Sequence, residues 1–199
     1  EPGPDAPDVI DIGLSFAPIA KDEGLLQPFR VGPWDSIPDT VKDADGHWYG
    51  DYYGVIAFEV NADEVDTLPE DWDDLLKEEY RGMVALAGDP RSSAQAAQSV
   101  YAAGLAAGAE GGAEIGEAGL AFFANLNAAG NFVPEAGNVT TLTEGRTPIV
   151  IGWDYVGLAD RDSVEEPKIE VIVPASGVVA RPYVQAISAY APHPNAAKL

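Results

Sequence analysis

From Ala94 to Ala109 the chain carries no charged residue, although charged residues make up 22% of the whole. The stretch is rich in alanine and reads as a helix ending near Gly108. A helix with no charged face has nothing to offer water, so it must be covered on most sides. That covering requires further layers of structure, and the rest of the chain supplies strands for them. Met83-Val84-Ala85-Leu86-Ala87 stands just before it as a buried-strand run, and Thr147-Pro148-Ile149-Val150-Ile151-Gly152 is another.

Asp8–Gly13 reads as a short strand ending in a glycine turn, and Ser15-Phe16-Ala17-Pro18 opens a brief helix with Pro18 in its first turn. Prolines and aspartates recur from Gln27 to Asp45, which predicts loop with short extended pieces. The aromatic run His47-Trp48-Tyr49-Gly50-Asp51-Tyr52-Tyr53 leads into a long strand through Gly54-Val55-Ile56-Ala57-Phe58-Glu59-Val60. Thr67-Leu68-Pro69-Glu70 fits a capping box with proline at the first helical position. Trp72, Leu75 and Leu76 would then share one face. A third helix is expected over about Glu114 to Ala129, with Ala118, Phe122 and Leu126 on one stripe. Lys168–Val173 is a further strand, Val178–Ile187 is extended in part, and a helix start follows His193-Pro194-Asn195. Strands alternating with helices make an α/β class with open sheets.

Charge and composition exclude several roles. The chain has 33 acidic residues against 11 basic ones, a formal net charge of −22. Nucleic-acid binding and attraction to anionic membranes both need Lys and Arg clusters, and these are missing. The absence of cysteine removes disulfides, thiolate metal sites and cysteine nucleophiles. An apolar share of 46% is that of a globular chain. Glu1-Pro2-Gly3-Pro4-Asp5 has neither the basic nor the apolar region of a signal peptide. No stretch reaches the roughly 20 apolar residues of a membrane span.

Three stretches carry a family resemblance. The first is Thr67-Leu68-Pro69-Glu70-Asp71-Trp72-Asp73-Asp74-Leu75-Leu76-Lys77-Glu78-Glu79-Tyr80-Arg81-Gly82. The second is Ala87-Gly88-Asp89-Pro90-Arg91-Ser92-Ser93, and the third is Ala191-Pro192-His193-Pro194-Asn195-Ala196-Ala197. Together they resemble the family 1 extracellular solute-binding proteins of ABC importers, the group that binds iron(III), polyamines, thiamine and phosphonates. The first is similar to the family's P-x-T-W-x-D-L-L-x-P-x-Y-K-G segment, and the last to its A-P-H-P-N-A-A segment. The resemblance implies a type II periplasmic-binding fold, two α/β lobes joined by two crossing strands. Residues 1–60 would be part of lobe 1 with the first crossing strand, 61–151 lobe 2, and 152–199 the return crossing with more of lobe 1. Measured against the family, the chain reads as a fragment whose first lobe is incomplete. An incomplete sheet would leave an open edge and favour self-association.

Ligands of open α/β sheets bind outside the carboxyl ends of strands, and four segments lie at such ends. Ser15 and Phe16 follow the first strand, where a turn serine and a core phenylalanine would explain them equally. Arg91, Ser92 and Ser93 precede a helix whose free N–H groups carry partial positive charge, so they could hold a carboxylate or phosphate. A serine N-cap is the simpler account of part of this group. Trp153, Asp154 and Tyr155 offer an aromatic face, a carboxylate and a phenol, a set suited to an ammonium. A core tryptophan and an aspartate cap would look the same. Of the tyrosine pair Tyr52 and Tyr53, strand alternation allows one side chain toward a cleft, and Tyr53 is the candidate.

In the iron(III)-binding branch a tandem tyrosine pair occupies the region of Tyr155. Here Asp154 replaces one phenol, which leaves Asp154 and Tyr155 as ligands only in an alternative, ferric reading; otherwise no metal and no cofactor is expected. Asp43-Ala44-Asp45-Gly46 is similar to a calcium loop. Setting Gly46 at the sixth position puts Val41 first and Tyr52 twelfth, where acidic ligands belong, so it reads as a turn. His47 and His193 have no metal-ligand spacing.

The expected function is that of a binding module. It would be an extracytoplasmic receptor, periplasmic or lipid-anchored at a Gram-positive cell surface, that closes on a small cationic or zwitterionic solute and delivers it to ABC permease subunits. A polyamine or an amino-phosphonate fits parts of the site. An enzyme using Asp89 and Asp154 as paired carboxylates is the competing class, but no nucleophile elbow, P-loop or dinucleotide fingerprint supports it.

Overall fold

The computed structural model describes residue 3 and residues 5–199. Three of the five residues in the opening segment Glu1-Pro2-Gly3-Pro4-Asp5 therefore lie outside the described residues. The chain packs into two compact units. One takes in the chain as far as Tyr53 together with Arg181–Leu199, and the other is Gly54–Ala180.

In the first unit β1 (Val9–Gly13) runs antiparallel to β7 (Ala180–Ser188), with Val9 opposite Ile187 and Gly13 opposite Tyr183. The two-residue β2 (Leu26–Gln27) pairs with the end of β7, and α1 (Ala17–Asp22) has its proline in the first turn as expected. Ala17, Leu26, Val184, Ala186 and Ile187 are buried in this unit. The proline-rich segment forms two single 3-10 turns, Trp34–Ser36 and Asp39–Val41. Trp34 is buried, edge-on to Tyr49, with the charged ends of Arg30 and Lys42 each 5.3 Å from its ring.

The second unit is built on a sheet in the order β6 (Ile169–Ile172), β3 (Tyr49–Asn61), β5 (Ile149–Trp153) and β4 (Val84–Leu86). β4 and β5 are parallel and the other pairs antiparallel. Strand alternation gives β3 two faces. Ile56, Phe58 and Val60 are fully buried on one, and Phe58 meets Trp72 edge-on, which meets Phe122 in the same way. Ala57 and Glu59 lie on the other, opposite Gly152 and Val150 across the strand pair. The buried cluster of Leu142, Val150 and Ile169 includes residues of that face, Val150 opposite Glu59 and Ile169 opposite Asn61.

The uncharged segment forms α2 (Ala94–Ala106), in which Ala94 alone is exposed. It packs against α3 (Gly112–Ala128) through two glycines. A β-carbon on Gly104 would lie 1.9 Å from the Ile115 carbonyl oxygen, and one on Gly119 would lie 1.9 Å from that of Val100. The backbones therefore touch where the helices cross. α4 (Val139–Thr143) is capped by Asn138, and α5 (Asp154–Ser163) follows β5 without a break.

Two expectations are corrected. The capping box is four residues later than Thr67-Leu68-Pro69-Glu70: Asp71 and Asp74 form it, and the element is a 3-10 helix, Trp72–Leu76. Asp71 captures the local N–H groups, and its carboxylate also accepts from the Ser176 hydroxyl at 2.8 Å. The predicted buried face survives this shift, since Trp72 and Leu75 are inside. The start at Ala196 is likewise a single 3-10 turn, Ala196–Lys198. The two compact units divide the chain after Tyr53 and after Ala180, and within the second β6 pairs with β3 and α5 packs on β6.

Candidate ligand-binding site

β5 ends at Trp153, and Asp154 is already the first residue of α5. This direct strand-to-helix join puts an aromatic ring, a carboxylate and a phenol at one strand end. Trp153 is buried and its ring stacks on that of Tyr155, with centroids 6.4 Å apart. Tyr155 is 37% exposed. Gly54 backs the pair, because a β-carbon there would come within 2.8 Å of both rings. The Asp154 carboxylate accepts the Val55 backbone N–H at 2.8 Å. Asp154 is thus a tie between α5 and β3 rather than the helix cap that sequence alone allowed.

Arg91, Ser92 and Ser93 lie in the loop between β4 and α2. Ser93 is the N-cap of α2: its hydroxyl accepts from Ala96 N–H and donates to the Ala87 carbonyl at 3.0 Å. Ser92 is exposed, and its N–H donates to the Asp89 carbonyl. The Arg91 side chain is also exposed, and its guanidinium grips both oxygens of Asp89 at 2.5–3.1 Å. That guanidinium, with the Arg91 N–H, pushes the Asp89 carboxyl down to about 2. An incoming anion would have to compete with Asp89 for Arg91.

Ser15, Phe16 and Tyr53 belong to the other unit. Ser15 is an exposed turn residue and Phe16, the residue before α1, is 65% exposed instead of lying in a core. Tyr53 is 65% exposed on β3. Its neighbour Tyr52 stacks on Tyr183 at 5.0 Å and donates to Asp11, so the pair is split between a packed ring and an open one. The turn at Asp43–Gly46 forms as read, with Gly46 at φ 88°. It does gather the ligand atoms of Asp43, Asp45 and His47. The Lys21 ammonium, 2.8 Å from both aspartates, satisfies them.

A cavity of about 240 Å³ lies on the Ala57–Glu59 face of the second unit's sheet. Glu59, Asp160, Val150 and Val171 line it, with Gln95 and Asn138 among its polar wall. Glu59 is only 7% exposed. Burial, then the Asp160 charge and a hydrogen bond to Asp160, push its carboxyl up to about 7. Burial raises Asp160 too, against the hydrogen bond from Glu59, which lowers it. Glu59 Oε1 is buried and has no hydrogen-bond partner. Sequence reasoning passed over this pair, although a lone glutamate in the apolar run Val55–Val60 was a visible signal.

Residues 5–199 match the family described as bacterial extracellular solute-binding protein, and the chain belongs to that family. A relative from Sinorhizobium fredii, named "Probable ABC transporter periplasmic-binding protein y4fP", is 26% identical over 176 residues, 86% of this chain and 48% of its own length. Among solved structures, AfuA of Actinobacillus pleuropneumoniae, with fructose-6-phosphate bound, is 22% identical with a TM-score of 0.71 over 97% of this chain and 61% of its own. The spermidine/putrescine-transporter protein PotD of Streptococcus pneumoniae is 16% identical, TM-score 0.73, over 96% and 60%. Iron-bound HitA of Pseudomonas aeruginosa is 17% identical, TM-score 0.66, over 96% and 61%. The chain has the mixed α/β fold of periplasmic binding proteins and spans about half of the curated relative's length and three fifths of these structures. Among the described residues, no helix is long and apolar enough to cross a membrane.

Proposed function

We propose that the chain is part of the substrate-binding component of an ABC importer, which captures a small solute and passes it to permease subunits. The observation that carries this reading is the join of β5 to α5. There the stacked rings of Trp153 and Tyr155 stand beside the Asp154 carboxylate in a chain of this family. Such a set stabilises an ammonium through ring faces and a charge-assisted hydrogen bond. A cationic or zwitterionic solute, polyamine- or phosphonate-like, fits it best. Ser92 and Arg91 would serve an anionic end if that end displaced Asp89. Ser15, Phe16 and Tyr53, all exposed, are kept as candidate solute contacts in their own unit.

A receptor of this kind works outside the cytoplasm, in the periplasm or lipid-anchored at the cell surface. It returns its solute unchanged. Of the carboxylates read as a possible enzyme pair, Asp89 is gripped by Arg91 and Asp154 accepts the Val55 N–H. The ferric alternative would use the Tyr155 phenol and the Asp154 oxygen not engaged with Val55.

Thermal denaturation with a panel of polyamines, amino-phosphonates, sugar phosphates, thiamine and ferric citrate tests the reading. A ligand at about 1,000 times its Kd adds about 4 kcal/mol of stability. Stabilisation by an amine that disappears in Asp154→Asn supports the amine site, and a ferric response moves Asp154 and Tyr155 into ligand roles. No response to any member overturns the solute-binding reading of this chain.

A further inference from the structure

We propose that the cavity under α5 is a second binding site, which takes one small alkylammonium ion against the Glu59–Asp160 carboxyl pair. The cavity borders the solute site at the β5–α5 join, since Trp153 lines it too, but the inference does not use that site's carboxylate. It rests on an acceptor without a donor. Glu59 reaches Asp160 with one oxygen and leaves Oε1 buried and unpartnered. Buried polar atoms are nearly always paired, and an exception asks for an explanation.

The neighbours do not supply the missing donor. Asn138 is committed to α4, its Oδ1 accepting from Thr140 and Thr141 N–H and its Nδ2 donating to the Ala136 carbonyl. Gln95 Oε1 accepts the Trp153 N–H at 3.2 Å. β5 and β6 offer Val150 and Val171 to Glu59, and α5 offers Gly157 and Asp160. Of these only Asp160 titrates, and among the described residues no Lys, Arg or His lines the cavity. Two carboxyls therefore face one space with no cation of the protein's own.

The space has the size and walls for an organic cation. About 240 Å³ is several times the roughly 30 Å³ that one water occupies in the liquid. Valine and alanine side chains form much of its wall, so an alkyl chain of a few carbons is covered while its ammonium meets Glu59 Oε1. A bare metal ion would leave that apolar wall unfilled. The close approach of α5 is built in, since a β-carbon on Gly157 would press on Val171 at 3.1 Å and on Glu59 at 3.3 Å.

Titration calorimetry of the chain with methyl-, propyl- and butylammonium chloride, against matched sodium chloride, tests this. The ammonium replaces the proton that Glu59 shares with Asp160. Binding at about pH 6 should therefore release close to one proton per ligand, read from two buffers of different ionisation enthalpy. Affinity should fall about tenfold per pH unit below about 7. Glu59→Gln, which keeps the hydrogen bond to Asp160 but removes the charge, should weaken binding at least tenfold and abolish proton release; if that variant does not fold, Asp160→Asn, which leaves the Glu59 carboxyl but takes away the neighbouring charge that raises it, should bind the ion with less proton release at about pH 6 than wild type. Asp154→Asn should leave this binding unchanged, which separates it from the solute site. No binding in the folded wild-type chain, or equal binding in Glu59→Gln, overturns the proposal and leaves water as the occupant.

Discussion

The Asp154 carboxylate holds the backbone N–H of Val55 at 2.8 Å, a contact spanning 99 positions of sequence that ties the first turn of α5 to β3. The same side chain is therefore a clamp and, in the proposed function, a ligand group. The two roles separate by substitution. Asp154→Asn retains an acceptor oxygen and should cost only a few tenths of a kcal/mol, from the lost charge at a helix N-terminus. Asp154→Ala leaves a half-buried N–H without a partner and should cost about 1–2 kcal/mol. Urea denaturation of both variants reads this directly. Loss of amine binding in the stable Asn variant would then belong to ligand contact alone.

Gly104 and Gly119 set the crossing of α2 and α3, and two alanine substitutions should act with opposite signs. Gly104→Ala drives a methyl into the Ile115 carbonyl, which is backbone and cannot rotate away. It should destabilise by about 3 kcal/mol or more. Gly116→Ala, on the same helix pair, meets nothing within 4 Å. It should stabilise by up to about 1 kcal/mol through helix propensity. Equal effects on the denaturation midpoint would contradict the close crossing.

Much of the fold was legible because it follows from local pattern. The apolar runs at Val84, Ile149 and Ile169 became strands, and the absence of charge from Ala94 to Ala109 foretold how thoroughly α2 is covered. The capping box failed for a physical reason. Two adjacent stretches offer an N-cap, and the choice fell to Asp71, whose carboxylate also holds Ser176, 105 positions away. Such partners leave no mark on local spacing. The site was legible in residue type but not in engagement. Sequence placed Arg91 beside two hydroxyls, but not the grip of Asp89 on its guanidinium or the commitment of Ser93 to capping. Glu59 was the reverse case, a visible anomaly whose meaning needed Asp160 from α5.

Ser92 and Ser93 are adjacent hydroxyls with different duties. Ser93→Ala removes the α2 cap and the bond to the Ala87 carbonyl, and should cost about 1–2 kcal/mol. Ser92→Ala, at an exposed position, should stay within about 0.5 kcal/mol of wild type. If Ser92 serves a ligand, its loss appears in solute affinity while the melting temperature of the free chain holds. A stability loss in Ser92→Ala as large as in Ser93→Ala would count against this division.

Glu59 makes the chain less stable as the pH rises. Its carboxyl titrates at about 7 when folded against an ordinary value of 4.5. Below the lower value it is protonated in both states and contributes no pH dependence. Between the two values the folded state keeps a proton that the unfolded chain has lost, so stability falls with pH. The loss is complete above about 7 and is on the order of 3 kcal/mol for a shift of this size. Asp160, also raised, acts in the same direction. Glu59→Gln cannot ionise, and its amide can donate to Asp160 in place of the shared proton. The variant should match wild type near pH 4 and exceed it at about pH 8, with most of the difference appearing between about 4.5 and 7. Parallel stability curves for the two proteins across that range would show that burial does not hold the Glu59 proton.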